Sequence, residues 1–176
     1  MKKIVTLGGS SSKNSINKQL AECVGGYINN VDLIKIDLNA FEMPLFSVDL
    51  EKEKGYSKTT MALNEIFEET DGFVISLAEH NGAYASSFKN VFDWLSRIEG
   101  KVWRNKPMLL LSSSPGARGG QSVLEIALEK FPRMGAHIIG STTFPNFEDN
   151  FKDGDVVDEA LKSKLKAMAV LFEKEI

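Results

Sequence analysis

Three short stretches gather the residues able to hold a polar ligand. The first is Gly8 to Asn17, "GGSSSKNSIN". Its two glycines allow a tight turn with the backbone close to a bound group. Ser10, Ser11, Ser12 and Ser15 offer hydroxyls, and Asn17 an amide. An apolar run precedes this stretch and a helical pattern follows it. The free N–H groups of a helix start would therefore point at the same place, where the dipole favours an anion. The stretch lacks the lysine of the GxxxxGK[ST] phosphate loop and lacks GxGxxG. Hydroxyls and amides without that lysine suit a phosphate monoester that is held and not transferred.

The second stretch is Ala78 to Ala85, "AEHNGAYA", where Glu79, His80 and Asn81 crowd against Gly82. Asn-Gly marks a turn. His80 has no serine or cysteine nucleophile pattern beside it, so it forms no triad. One histidine and one glutamate fall short of a zinc ligand set, and no metal site is expected. The third stretch, Ser112 to Gly120, "SSSPGARGG", mirrors the first: hydroxyls, a proline turn, then glycines opening a helix.

The elements that position these stretches alternate regularly. Apolar runs read as strands at Ile4–Leu7, Val31–Leu38, Phe73–Leu77, Pro107–Leu111 and His137–Gly140. Helical periodicity covers Ile16–Ile28, Tyr56–Thr70, Tyr84–Ile98, Gly120–Phe131 and Asp155–Glu173. Asn14 or Ser15 suits the first N-cap, and Asp155 the last. Asn39–Gly55 shows no clean period and reads as a long loop. Strict alternation implies right-handed crossovers and a parallel sheet. The expected fold is α/β, a flavodoxin-like doubly wound sheet of five parallel strands in order 2-1-3-4-5, with helices on both faces. Residues 1–176 are expected to form one domain. Ligands of such sheets bind beyond the carboxyl ends of the strands at the reversal of strand order, which is where all three stretches fall.

Composition sets outer limits. Apolar residues are 43% and charged residues 26% of the 176, with a net charge of −3. No basic stripe is present for nucleic acid. The start, "MKKIVTLGG", reads as a first strand and not as a signal peptide. No apolar run reaches membrane-spanning length, and the expected location is cytoplasmic. Cys23, the single cysteine, reads as a small core residue.

These residues resemble the NADPH-dependent FMN reductases, the flavodoxin-like group that includes quinone, azo-dye and chromate reductases. Gly9 to Asn17 resembles the family's G-S-x-R-x-x-S-x-N loop, with Ser12 where arginine is usual. Glu79-His80-Asn81-Gly82 followed by Phe88–Arg97, "FKNVFDWLSR", resembles P-E-Y-N-G-S…L-K-N-x-x-D-W-x-S-R, with Ala78, His80 and Ala83 replacing proline, tyrosine and serine. Ser112 to Gly120 resembles S-x-S-P-G-x-x-G-G.

The resemblance implies bound FMN, with NADPH or NADH as co-substrate. Hydride passes to the flavin N5 and on to a small-molecule acceptor such as a quinone. It implies that Gly9, Ser10, Ser12, Ser15, Ile16 and Asn17 hold the phosphate. Glu79, His80, Asn81 and Gly82 run along the isoalloxazine edge, mostly through backbone groups. Ser112, Ser113, Ser114 and Gly116 flank the other side. The flavin carries the chemistry, so no side chain is assigned as acid or base. Loss of the arginine at Ser12 removes a bidentate phosphate partner and weakens the expectation of NADPH over NADH. The family's dimers imply a homodimer or homotetramer. Trp94 and Ile98, outside the apolar arc of their helix, are expected near the interface. An electron-carrier flavoprotein is the alternative, though the mild charge and the aromatic-poor loops argue against it. A phosphate-binding domain without flavin is the third reading.

Overall fold

Apolar runs bounded by glycine and proline form a central sheet, in a computed structural model that describes all 176 residues. Strands β1 (Lys2–Gly9), β2 (Val31–Ile36), β3 (Gly72–His80), β5 (Lys106–Ser113) and β6 (Ala136–Phe144) are parallel. Their order is β2-β1-β3-β5-β6, which is the expected 2-1-3-4-5. A two-residue strand, β4 (Ala83–Tyr84), turns back on β3. The central strands β1, β3 and β5 are buried on both faces, as their unbroken apolar runs require.

The helices that cover the sheet are α1 (Ile16–Gly25), α3 (Lys58–Glu69), α4 (Ser86–Ile98), α5 (Gln121–Arg133) and α7 (Glu159–Glu173). They divide the interior into two apolar cores. One holds Leu63, Phe67, Phe92, Trp103 and Phe131 with one sheet face. The other holds Leu20, Val24, Leu165, Met168 and Phe172 with the opposite face.

The structure departs from the sequence expectations at four places. The Asn39–Gly55 segment contains a 3-10 turn, η1 (Leu38–Ala40), and a helix, α2 (Val48–Lys54). No α2 residue is buried, so no amphipathic period marks it. The last helix is capped by Asp158, whose carboxylate accepts from the Leu161 amide at 2.8 Å. Asp155 lies instead in a small hairpin of β7 (Phe151–Lys152) and β8 (Asp155–Val156), which follows the short α6 (Phe147–Asn150). There its carboxylate accepts from Tyr27 Oη and pairs with Lys162, each at 2.5 Å.

Cys23 is half-buried rather than enclosed in the core. Its Sγ lies 3.4 Å from Tyr27 Oη, and desolvation raises its thiol above the usual range. Trp94 is 1% exposed and is not a surface aromatic. Phe46 and Tyr56 of this chain meet its ring edge-on at 5.1 and 6.4 Å. Only Ile98 of the expected interface pair keeps partial exposure.

Candidate functional site

The carboxyl ends of β1, β3 and β5 meet at a cleft of about 190 Å3. Its lining draws on each of the three polar stretches: Ser10, Ser12 and Ser15, then Glu79 and His80, then Ser114. Ile16, Asn17 and Ser113 also reach it. Of the remaining expected residues, Gly9 closes β1 beneath the first stretch. Asn81 and Gly82 form the exposed-side turn after β3, and Gly116 lies exposed beyond Ser114.

The first stretch is shaped by a close approach. A Cβ on Gly8 would stand 2.4 Å from the Lys18 backbone nitrogen, so only glycine lets the end of β1 touch the start of α1. Ser15 caps that helix, its Oγ accepting from the Lys18 amide at 3.1 Å while its own O–H remains free to donate. Ser10 Oγ accepts from the Ser12 amide at 3.1 Å. The amides of Ser11, Lys13, Asn14, Ile16 and Asn17 donate to no acceptor in the chain. Unpaired amides around a helix start form an anion site.

Asn17 plays a different part from the one its amide suggests. Its side chain is 2% exposed; Oδ1 accepts from Ser76 Oγ at 2.7 Å, and Nδ2 donates to the Ser113 carbonyl at 3.2 Å. It braces α1 against β3 and β5 and leaves only its backbone amide at the helix start. Ser76 was not singled out by sequence reasoning. The signal was a lone hydroxyl in the apolar run "FVISL".

The second stretch is a hairpin. Glu79 pairs with Tyr84 and His80 with Ala83 across a two-residue turn. Asn81 (φ 52°) and Gly82 (φ 76°) both adopt left-handed backbone, the pattern of a type I′ turn. Tyr84 anchors the hairpin from below, its ring 5.4 Å from Phe88 and stacked 6.1 Å from Phe131. Its hydroxyl is enclosed without a partner, and burial pushes its pKa up to about 12. His80 is exposed at the tip. The Glu79 side chain turns away from the tip, and its Oε2 accepts from the Val123 amide in the first turn of α5 at 3.1 Å.

The third stretch holds its hydroxyls inward. Ser112 Oγ donates to the Gly119 carbonyl at 2.8 Å, and Ser113 Oγ to the Phe144 carbonyl at 2.9 Å. Both residues are still paired in the sheet, with Leu77 and Ala78. Ser114 is the first serine of this stretch beyond the sheet and is partly exposed. Near the first stretch, Lys18 pairs with Asp37 at 2.5 Å; that hydrogen bond raises the lysine pKa and lowers that of the carboxylate.

The sequence model described as NADPH-dependent FMN reductase matches residues 2–149. A quinone reductase of Escherichia coli (strain K12) is 34% identical over 121 residues. That match covers 66% of this chain and 62% of the relative's length. A 2-hydroxy-1,4-benzoquinone reductase of Burkholderia sp is 29% identical over 144 residues, 75% of this chain and 76% of its own. Among solved structures, FerB of Paracoccus denitrificans, a flavoenzyme NAD(P)H:(acceptor) oxidoreductase, superimposes with a TM-score of 0.77 at 22% identity, covering 99% of both chains.

Proposed function

The chain belongs to the NADPH-dependent FMN reductase family, and on that premise we propose that it is an FMN-dependent NAD(P)H oxidoreductase. It delivers reducing equivalents from a nicotinamide to a quinone, flavin or similar acceptor. One observation carries the reading. The start of α1 is an open anion site at the reversal of strand order, and it shares a cleft with the ends of β3 and β5. The donor set fits a phosphate monoester, because amides and hydroxyls supply it without a metal-organising lysine.

Bound there, FMN supplies the hydride chemistry. The chain supplies binding and orientation. The hydroxyls of Ser10, Ser12 and Ser15 and the amides of Ile16 and Asn17 hold the phosphate, with Gly9 giving backbone access. With Ser12 in place of an arginine, amides and the helix dipole answer the phosphate charge. The peptide groups from Glu79 to Gly82 border the ring, His80 lies at the hairpin tip, and Ser114 and Gly116 face it from the β5 side. Ser112 and Ser113 hold that side in shape. No side chain is given an acid or base role.

The test is optical. Purified protein reconstituted with FMN should be yellow, absorbing at about 450 nm as bound flavins do. It should bleach with NADPH or NADH and recover its colour with a quinone. A colourless protein overturns the reading, and a yellow one that neither nicotinamide bleaches is an electron carrier.

Residues 1–176 act as one FMN-binding unit in this reading, with two or four copies assembling. Half-exposed Ile98 and the exposed Ile126 and Leu128 support assembly. A monomer mass by light scattering overturns it. No helix is long and apolar enough to cross a membrane. A consumer of reduced nicotinamide fits the cytoplasm, where that pool lies.

A further inference from the structure

Two walls of the cleft are held by different means. Glu79 and His80 line it from the hairpin, and Ser113, Ser114 and Pro115 line it from the third stretch. The third stretch is pinned to the sheet. The Gly116 carbonyl accepts from the Asn146 amide at 3.1 Å, and the Ser114 carbonyl from the Phe147 amide at 3.3 Å. A Cβ on Gly119 would stand 2.8 Å from the Phe144 backbone. The hairpin instead projects past the sheet, since the pairing of β3 with β5 ends at Ala78 and Ser113. From Glu79 to Tyr84, the Glu79 side chain is the one that makes a hydrogen bond, and the Tyr84 hydroxyl makes none.

The start of α5 needs what Glu79 supplies. Its N-cap, Gly120, has left-handed backbone (φ 78°) and no side chain to cap with. A Cβ there would stand 3.0 Å from Ser112 Cβ, so a capping residue cannot take its place. The Gln121 amide donates to the Arg118 carbonyl at 3.1 Å, and the Leu124 amide to the Gly120 carbonyl at 3.2 Å. The Val123 amide between them is met by Glu79 Oε2 at 3.1 Å, from 44 residues away in the chain. The cap of α5 thus comes from the opposite wall.

Tyr84 also packs on α5, through Phe131. Apolar contact is non-directional, whereas a hydrogen bond to one amide fixes the hairpin's place along the helix. A ligand gains affinity when the walls it enters are already held, because less ordering cost falls on binding.

We propose that the Glu79 side chain is a positioning residue for the flavin ring. Acting through the Val123 amide, it holds the Glu79–Gly82 peptides in place against the Ser114–Gly116 wall, and so sets affinity for the ring independently of the phosphate. The inference rests on the flavin-reductase reading. The test measures Kd for FMN and for riboflavin, which has the same ring and no phosphate, by quenching of flavin fluorescence. Glu79→Ala should raise both about tenfold and leave their ratio at the wild-type value. Glu79→Asp keeps the charge, falls a methylene short of the amide and should match Glu79→Ala. Glu79→Gln keeps an oxygen for the amide and should stay within about threefold of wild type. Wild-type riboflavin affinity in both shortened variants, or a loss confined to FMN, overturns the positioning role. An equal loss in Glu79→Gln and Glu79→Ala overturns the part given to the Val123 amide. In the flavin-free chain, the amides of Asn81–Tyr84 and of Gly119–Val123 should exchange hydrogen faster together in Glu79→Asp. Faster exchange on one side alone, or on neither, overturns the link between the walls. A wild-type chain that binds neither FMN nor riboflavin overturns the flavin reading, and the exchange result then still decides whether Glu79 joins the walls.

Discussion

At the start of α1 the amides of Ile16 and Asn17 find no acceptor in the chain, whereas at the start of α5 the Val123 amide donates to the Glu79 carboxylate at 3.1 Å. Both helices follow a glycine- and serine-rich turn at the same sheet edge. In one the positive end of the dipole is open, and in the other an anionic side chain already occupies it. In the proposed reading a phosphate goes to the first, and the hairpin that carries Glu79 is held to the second. Two similar turns thus differ in what meets their helix: the first leaves the Ile16 and Asn17 amides without an acceptor, and the second has the Val123 amide taken by a side chain.

The largest test of this division is Gly8→Ala. The added Cβ would meet the Lys18 backbone at 2.4 Å and push α1 off the end of β1. A cost on the order of 3 kcal/mol is expected, seen as a Tm lower by about 6–12 °C, with FMN affinity lost by more than about a hundredfold. At Gly116 a Cβ meets nothing closer than 4.0 Å, so Gly116→Ala should stay within about 0.5 kcal/mol in the same melts. Equal losses at both positions would erase the distinction between the two turns.

Ser15→Asp comes next. Aspartate caps a helix as well as serine does, so the fold should hold. It also sets an anion at the open end, and the Kd for FMN measured by flavin fluorescence should rise at least about tenfold, or about 1.4 kcal/mol. Unchanged affinity would move the phosphate away from α1. Glu79→Gln removes the charge from the closed end. A loss of about 0.3–1 kcal/mol is expected, read as a Tm drop of about 1–3 °C. No drop would mean the α5 dipole is satisfied otherwise.

The smallest effect concerns pH. The Lys18 hydrogen bond, aided by the Asn39 amide, holds the Asp37 carboxyl below its ordinary range. Its stabilising contribution is therefore complete above about 3.9, the unfolded value, and is lost as pH falls through the lower folded value. Both side chains are about one-third exposed, which limits the pair to about 1 kcal/mol or less. Lys18→Met should leave melts at neutral pH nearly unchanged and flatten the decline of Tm below pH about 4. An unaltered acid limb would show that the pair contributes nothing.

The sheet order was legible because strands buried on both faces and amphipathic helices differ sharply in period. The position of the site followed from the same reasoning, since Gly8–Asn17, Glu79–Gly82 and Ser112–Gly120 had to meet at one edge. Side-chain direction within those stretches was not legible. β1 ends at Gly9, so Ser10 to Ser12 leave the sheet, while β5 runs on to Ser113 and keeps Ser112 and Ser113 inside. Composition is the same in both; register differs. Trp94 misled for a related reason. It lies off its helix's apolar arc, and what covers it is the aperiodic Pro44–Tyr56 chain. The Asp153-Gly154 dipeptide, with φ of 51° and 84°, was a readable hairpin signal that would have moved the last helix start from Asp155 to Asp158.

Asn17 ties the first turn of α1 to Ser76 on β3 and to the Ser113 carbonyl at the end of β5. The two ends of the cleft therefore cannot open independently. Occupancy at the phosphate end should slow amide hydrogen exchange at the ends of β3 and β5, which touch no phosphate. Asn17→Ala should confine that slowing to α1, turning a shared opening into a local one.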